Sequence, residues 1–436
     1  MKVKKDKVKF ITLGCSKNTV DSEFIIAQLK SGDIEFTENE NEAENVIINT
    51  CGFIESAKQE SIDTILRAVD MKSRGLLKNV YVAGCLSDRY KEELGKEIPD
   101  VDMYFGATDK LNTITGILNE LGVDYKKNLV GERSLTSPSH FAYLKISEGC
   151  DNPCSFCAIP IMRGRHKSKP LQEILSEAQK LVSKGVKEIV VIGQDTTYWG
   201  LDLENERKRN LSCVLAELSK INGLEWIRLM YAYPSRYPED LINTFNENEK
   251  ICRYLDIPVQ HIADNVLKSM RRGITKKSLI NLLSKLRAEI PGIAIRTTLI
   301  VGYPDETESD FIELADFVAE FNFDRLGVFT YSHEEDTVAA KIPDRIPLKE
   351  KINRQKTILE IQRELSAKNN RKLIGSIQKV LVDRKENDYY IGRSYRDAPE
   401  IDQEIQINSA GIETGEFVDV KIFDSEDFDL FAEAVK

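Results

Sequence analysis

No apolar run in the chain approaches the roughly 20 residues that a membrane helix needs, which excludes a helical membrane span. The basic start, Met1-Lys2-Val3-Lys4-Lys5-Asp6-Lys7, leads into no signal-peptide core, so a cytoplasmic, reducing location is expected. Positive charge is in deficit: 61 Lys and Arg stand against 71 Asp and Glu, a net of −10. That speaks against a globally basic nucleic-acid binder and leaves room only for local basic patches. Glycine (24) and proline (13) are too few for a collagen-like or low-complexity chain. What is present, 41% hydrophobic and 30% charged residues over 436 positions, can fill sizeable cores in about three domains.

Strand and helix signals alternate in the first segment. Val8–Leu13, Asn45–Asn49, Asn79–Ala83 and Val101–Phe105 read as strands, with helical spacing over Asp21–Lys30 and Ile54–Met71. This alternation predicts an α/β, doubly wound parallel sheet over residues 1–133. Ser134–Ser139 is a linker candidate. Residues 140–371 carry six more strand candidates: Ala142–Ile146, Glu188–Ile192, Trp226–Met230, Leu255–Pro258, Ile293–Val301 and Arg325–Thr330. Six β/α units make a partial (β/α)6 barrel, short of the usual eight. A charged helix, Leu348–Leu373, follows as a connector. Residues 372–436 change character, with strand candidates at Ser376–Val382, Tyr389–Tyr395, Glu404–Asn408, Phe417–Phe423 and Leu430–Val435. These predict a small antiparallel β-barrel of OB style. This segment holds 8 Lys and Arg against 15 Asp and Glu, so −7 of the net charge sits here.

Eight cysteines in a reducing compartment point to metal or catalysis rather than disulfides. Cys150, Cys154 and Cys157 have the spacing C-x3-C-x2-C directly after the first barrel strand, where barrel active sites form. Three thiolates on one tight loop suit three irons of a [4Fe–4S] cube and leave the fourth iron open. The blander readings are a zinc site completed by His166, although paired C-x2-C units are lacking, or three packing cysteines. Cys15, Cys51 and Cys85 lie 36 and 34 residues apart, yet each sits just past a predicted parallel strand. Such strand ends converge on one crevice, so these three are candidates for a second cluster, with buried core cysteines as the alternative. Cys213 and Cys252 lack such context and read as packing residues.

The loop Ser147-Glu148-Gly149-Cys150-Asp151-Asn152-Pro153-Cys154-Ser155-Phe156-Cys157, with an aromatic before its last cysteine, resembles the radical S-adenosylmethionine superfamily. With the three upstream cysteines, the partial barrel and the terminal barrel, nearly the whole chain resembles the methylthiotransferases of that superfamily. Their architecture is an N-terminal auxiliary-cluster domain, a radical domain and a TRAM domain. Asp151, Phe156 and the tail Tyr390–Glu400 resemble the RimO branch, which modifies an aspartate of ribosomal protein S-twelve (uS12). The tRNA-modifying MiaB branch tends to Asn and Tyr at the first two positions.

The resemblance implies two [4Fe–4S] clusters, on Cys150, Cys154 and Cys157 and on Cys15, Cys51 and Cys85, with S-adenosylmethionine as radical source and methyl donor. The first cluster would open S-adenosylmethionine to a deoxyadenosyl radical that takes hydrogen from the aspartate β-carbon. The second would carry the sulfur. No side chain can break an unactivated C–H bond, so a cofactor has to. It further implies uS12 or the small ribosomal subunit as partner; a flavodoxin- or ferredoxin-like electron donor is expected, with a monomer as the default state.

Other cofactor-binding candidates lie at barrel strand ends. Phe156 sits in the cysteine loop, and Gly193-Gln194-Asp195 stand where the superfamily holds the methionine amino group, which an acceptor suits. Arg296 is a candidate partner for the cofactor carboxylate, with a structural ion pair as its alternative. Gln260 ends the fourth strand and is a candidate cavity residue; the adjacent His261 is as well read as structural. Asp305 replaces the family's usual glycine, in a turn that Asp tolerates. Tyr231–Pro234 and Tyr331–Glu335 are rim loops that shape the entrance or cap the barrel. The basic run Arg163–Lys169 reads as local electrostatics beside a negatively charged cluster, with RNA contact kept open.

The acidic tail repels phosphate and attracts a basic ribosomal protein, which favours uS12 over tRNA. The alternatives are a tRNA-adenosine methylthiotransferase and, in another class, a non-catalytic iron–sulfur protein of the ribosome.

Overall fold

In the N-terminal part of the computed structural model, parallel strands alternate with helices, as the apolar pattern dictates. The structure describes residues 7–32, 34–129, 131–203 and 209–435; the basic run before Lys7 lies outside them. The chain divides into two units: Met1–Thr136 with Tyr143–Asp151 and Cys157–Lys180, and Ser137–Ala142 with Asn152–Phe156 and Leu181–Lys436.

In the first unit, Lys7–Thr12 (β1), Glu35–Phe36 (β2), Asn45–Thr50 (β3), Asn79–Gly84 (β4) and Met103–Tyr104 (β5) form one sheet in the order β2-β1-β3-β4-β5. Every pairing is parallel. The central strands are buried on both faces because their side chains alternate between two cores. Val46, Ile48, Val80 and Val82 pack with Ile65 and Ala68 of the helix Glu55–Ser73. Ile47, Tyr81 and Ala83 pack on the other face with Ile25 and Leu29 of the helix Ser16–Lys30 and Ile114 and Ile117 of the helix Lys110–Glu120. This is the doubly wound arrangement. β2 adds an edge that the sequence reading did not contain, and the first helix starts at Ser16 rather than Asp21.

The second unit contains a six-stranded sheet with order β13-β12-β11-β10-β9-β6. Phe141–Lys145 (β6) contributes its first two residues to this unit. Between β6 and the next barrel strand, Ser147–Glu148 (β7) and Lys167–Ser168 (β8) pair as a small antiparallel ribbon in the first unit. Glu188–Ile192 (β9), Trp226–Leu229 (β10), Ile251–Asp256 (β11), Ala294–Val301 (β12) and Arg325–Thr330 (β13) pair in parallel throughout. Helices separate them, giving the partial barrel.

The helix Leu348–Arg371 leads to a closed five-stranded barrel of Ile377–Glu386 (β14), Tyr389–Ser394 (β15), Ile405–Ile407 (β16), Phe417–Ser425 (β17) and Leu430–Ala434 (β18). Its core is Val380, Val382, Ile405, Ile407, Val420, Ile422, Leu430 and Ala432. This is the small OB-style barrel expected of the tail; its pairings are antiparallel except that β16 and β18 run parallel.

The end of β15 and the segment joining it to β16 dock on the large sheet through buried ion pairs and a hydrogen bond. Arg393 Nη1 donates to Glu188 (2.7 Å), which also accepts from Arg228 Nε (2.7 Å). Arg325 pairs with Asp397, and Asp402 accepts from Tyr254 Oη (2.7 Å).

Candidate active site

The order β2-β1-β3-β4-β5 reverses direction between β1 and β3, and ligands of doubly wound sheets bind outside the strand C-termini at such a point. Cys15, Cys51 and Cys85 follow β1, β3 and β4 there. Cys15 is the N-cap residue of Ser16–Lys30, and Cys85 opens a short helix, so both thiols sit where backbone N–H groups are unspent. Gly14 holds φ +92°, and a Cβ there would stand 2.7 Å from Cys51 Cβ; only glycine lets the two loops approach this closely. Asn18 ties them together, its Nδ2 donating to Leu13 O (2.8 Å) and Thr50 O (3.0 Å). Ser61 Oγ accepts from Cys51 N (3.0 Å) and donates to Cys51 O (2.9 Å).

Burial pushes the Cys85 thiol up to about 11; the charge of Arg163 works against that, and those of Cys15 and Cys51 add to it. Burial raises Cys51 as well. The three thiols thus lie within one another's electrostatic reach, and their thiolates need a cation beside them. Arg163, last residue of the helix Ile159–Arg163, supplies one: its Nε donates to Cys85 Sγ at 3.1 Å.

The C-x3-C-x2-C loop opens after a turn at Gly149 (φ +73°), where a Cβ would meet Arg165 O at 2.1 Å. Cys150 is buried and its amide donates to Gly164 O (3.2 Å). Cys154 lies 3.4 Å from Tyr233 Oη, and Arg272 Nη1 donates to its sulfur at 3.3 Å. Arg272 is buried, stacks over the Tyr233 ring at 4.2 Å and donates through Nη2 to Pro258 O (2.6 Å). Cys157 is half-buried.

The other sequence candidates fall into two groups. Phe156 packs on the apolar cluster of Ala263, Val266, Met270, Tyr303 and Tyr331. Gly193 and Gln194 directly follow β9. Gln260 holds φ +70°, a strained left-handed conformation, and bridges to β12 through Thr298 O and the Ile300 amide. Asp195 and Arg296 are engaged by protein. Asp195 accepts from Asn152 Nδ2 (2.7 Å) and caps the turn at Thr197, so it orients the cysteine loop. Arg296 donates to Asp256 (2.9 Å) and Asp402 (3.3 Å), the structural ion pair weighed above; a cofactor carboxylate would compete with both. His261 is fully buried and accepts from Ala263 N through Nδ1; burial lowers it to about 4. His166 lies beside Ser168 Oγ (3.1 Å).

Among the described residues, no three His, Cys, Asp or Glu side chains already stand in ligand geometry. Whether the residues suit a cluster therefore turns on donor chemistry and surroundings. Both are favourable. Each cysteine set consists of free soft thiols and has one buried arginine donating to a sulfur. Buried donors remain unspent at both places: Ser16 Oγ and Ser87 Oγ beside Cys15 and Cys85, and Arg272 Nε beside Cys154. Arg163 and Arg272 were not singled out as cysteine partners in the sequence, because nothing in the spacing places them on a sulfur.

Comparison with known proteins fits this arrangement. Family models match at residues 7–106 (uncharacterized protein family UPF0004), 144–318 (Radical SAM superfamily) and 374–435 (TRAM domain). The chain is 52% identical over 437 residues to the ribosomal protein uS12 methylthiotransferase RimO of Cytophaga hutchinsonii, covering 99% of this chain and 98% of that protein. It is 50% identical to the protein of that name from Christiangramia forsetii (99% and 95% covered) and 49% to that from Chloroherpeton thalassium (100% and 100%). Among solved structures, the radical S-adenosylmethionine methyltransferase TsrM from Kitasatospora setae aligns with TM-score 0.55 at 14% identity, covering 77% of this chain and 74% of that one, a likeness of fold. The chain belongs to the RimO family of methylthiotransferases, enzymes of the radical S-adenosylmethionine superfamily.

Proposed function

We propose that this enzyme attaches a methylthio group to the β-carbon of an aspartate of ribosomal protein uS12. The observation that carries this is the identity of about half of all residues, end to end, with relatives bearing that name. Cys150, Cys154 and Cys157 would hold one [4Fe–4S] cluster, with one iron left for S-adenosylmethionine, and Cys15, Cys51 and Cys85 a second. When bound, these groups supply what no side chain can, the electron that opens S-adenosylmethionine and the sulfur that is transferred.

The chain's own residues orient and neutralise. Arg272 and Arg163 offset thiolate charge, and Asp195 fixes Asn152 of the cysteine loop. Phe156, Gly193, Gln194 and Gln260 are the proposed cofactor contacts; Asp195 and Arg296 act from behind them through their protein partners. The three-domain division at residues 133/140 and 371/372, a flavodoxin- or ferredoxin-like electron donor and a monomeric state belong to the same reading.

The acidic terminal segment, −7 over residues 372–436, supports a basic protein substrate over tRNA. The test offers small ribosomal subunits and tRNA together, anaerobically, with S-adenosylmethionine tritiated in its methyl group. Label in uS12 is expected; label in tRNA would overturn the reading.

A further inference from the structure

Arg163 lies six residues beyond Cys157, yet its guanidinium serves the other cysteine set. The helix Ile159–Arg163 lays Ala158 and Met162 against Cys85 in one small apolar cluster. Its last residue then turns Nε onto Cys85 Sγ at 3.1 Å. The remaining N–H groups fix that orientation: Nη1 donates to Asp21 Oδ2 (2.6 Å) and Nη2 to Asn18 Oδ1, on the residue that also ties the β1 and β3 loops together. The side chain is 4% exposed, whereas Arg165, two residues on, is 91% exposed. A surface ion pair needs no such burial.

Arg163, Lys145 and Lys110 surround Asp21 and Glu148, and within this network Arg163 is the buried cation that touches the Cys85 thiol. An N–H donated to a ligand sulfur and a buried positive charge both stabilise the reduced, more negative state of an iron–sulfur cluster.

We propose that Arg163 is a positioning residue that raises the reduction potential of the cluster held by Cys15, Cys51 and Cys85, through its bond to Cys85. This rests on the reading that those three thiols hold a cluster. It makes one short segment serve both cysteine sets, since Cys157 and Arg163 bracket a single turn of helix.

The test uses full-length protein with Cys150, Cys154 and Cys157 all changed to Ala, so that only one cluster loads. It is reconstituted anaerobically, assayed for iron and titrated potentiometrically by electron paramagnetic resonance. Arg163→Lys and Arg163→Gln are made in that background. The expected result is about four irons per chain in the parent and in both variants. The midpoint potential is expected to shift downward in both, further for Gln, which loses bond and charge, than for Lys, which keeps a charge. Full iron with an unmoved midpoint in both variants would overturn the proposal. Loss of iron from Arg163→Lys would overturn it too, because the side chain would then build the site rather than tune it. If the parent binds no cluster at all, the assignment of Cys15, Cys51 and Cys85 is what has failed, and the proposal falls with it.

Discussion

Gly14 shows how single residues set the site. Its φ of +92° and the 2.7 Å approach to Cys51 Cβ leave no room for a methyl group. Gly14→Ala is expected to cost about 1–3 kcal/mol and to lower iron occupancy of the N-terminal site; thermal melting and iron assay check this. His261 has a different consequence. Burial lowers its pKa to about 4, below the 6.5 of an exposed histidine. The unfolded chain therefore binds the extra proton first as pH falls from 6.5 toward 4, and stability declines across that window by roughly 3 kcal/mol. His261→Gln is expected to unfold with a flatter acid limb than the parent in denaturant titrations at stepped pH. An equal slope would remove His261 from the account. The placement of Cys15, Cys51 and Cys85 just past parallel strands was legible at this scale because strand-end position is a sequence property. Arg163 and Arg272 were not, because a guanidinium meets a distant sulfur only through tertiary packing. Arg296 was legible as a charge but not in its partners, since Asp402 comes from a segment 106 residues away.

At the scale of elements, the strands of both α/β parts were readable because buried parallel strands are short apolar runs with helices between them. β2, two residues long, has no such run. The parallel pairing of β16 and β18 was also hidden, because alternation records which face is buried and not which way a strand runs. The joining segment from β15 to β16 gained its meaning only from the fold. Just before it, Arg393 of β15 is buried between Glu188 and Asp383, at 2.7 Å from each. Arg393→Met takes the shared cation from two buried carboxylates, so a loss of about 3–5 kcal/mol is expected in urea unfolding. A loss under about 1 kcal/mol would show that Arg228 and His140 suffice to hold them.

For the molecule as a whole, charge is uneven, with −7 of the −10 in the last 65 residues, 372–436. If that surface attracts the proposed basic substrate, affinity for uS12 is expected to fall as salt rises from low to about 0.15 M, where screening sets in within about 8 Å. Binding isotherms at several ionic strengths check this; salt-independent affinity would assign recognition to apolar contacts instead. Changing Cys15, Cys51 and Cys85 to Ala is expected to halve the iron, and changing Cys150, Cys154 and Cys157 to Ala to remove the other half, measured on anaerobically reconstituted protein.

The most direct test of the central claim is mass spectrometry of uS12 after anaerobic incubation with the reconstituted enzyme, S-adenosylmethionine and a reductant. A gain of one methylthio group, mapped to an aspartate, is expected. An unmodified uS12 alongside released deoxyadenosine would contradict it, leaving the radical chemistry in place and the substrate wrong.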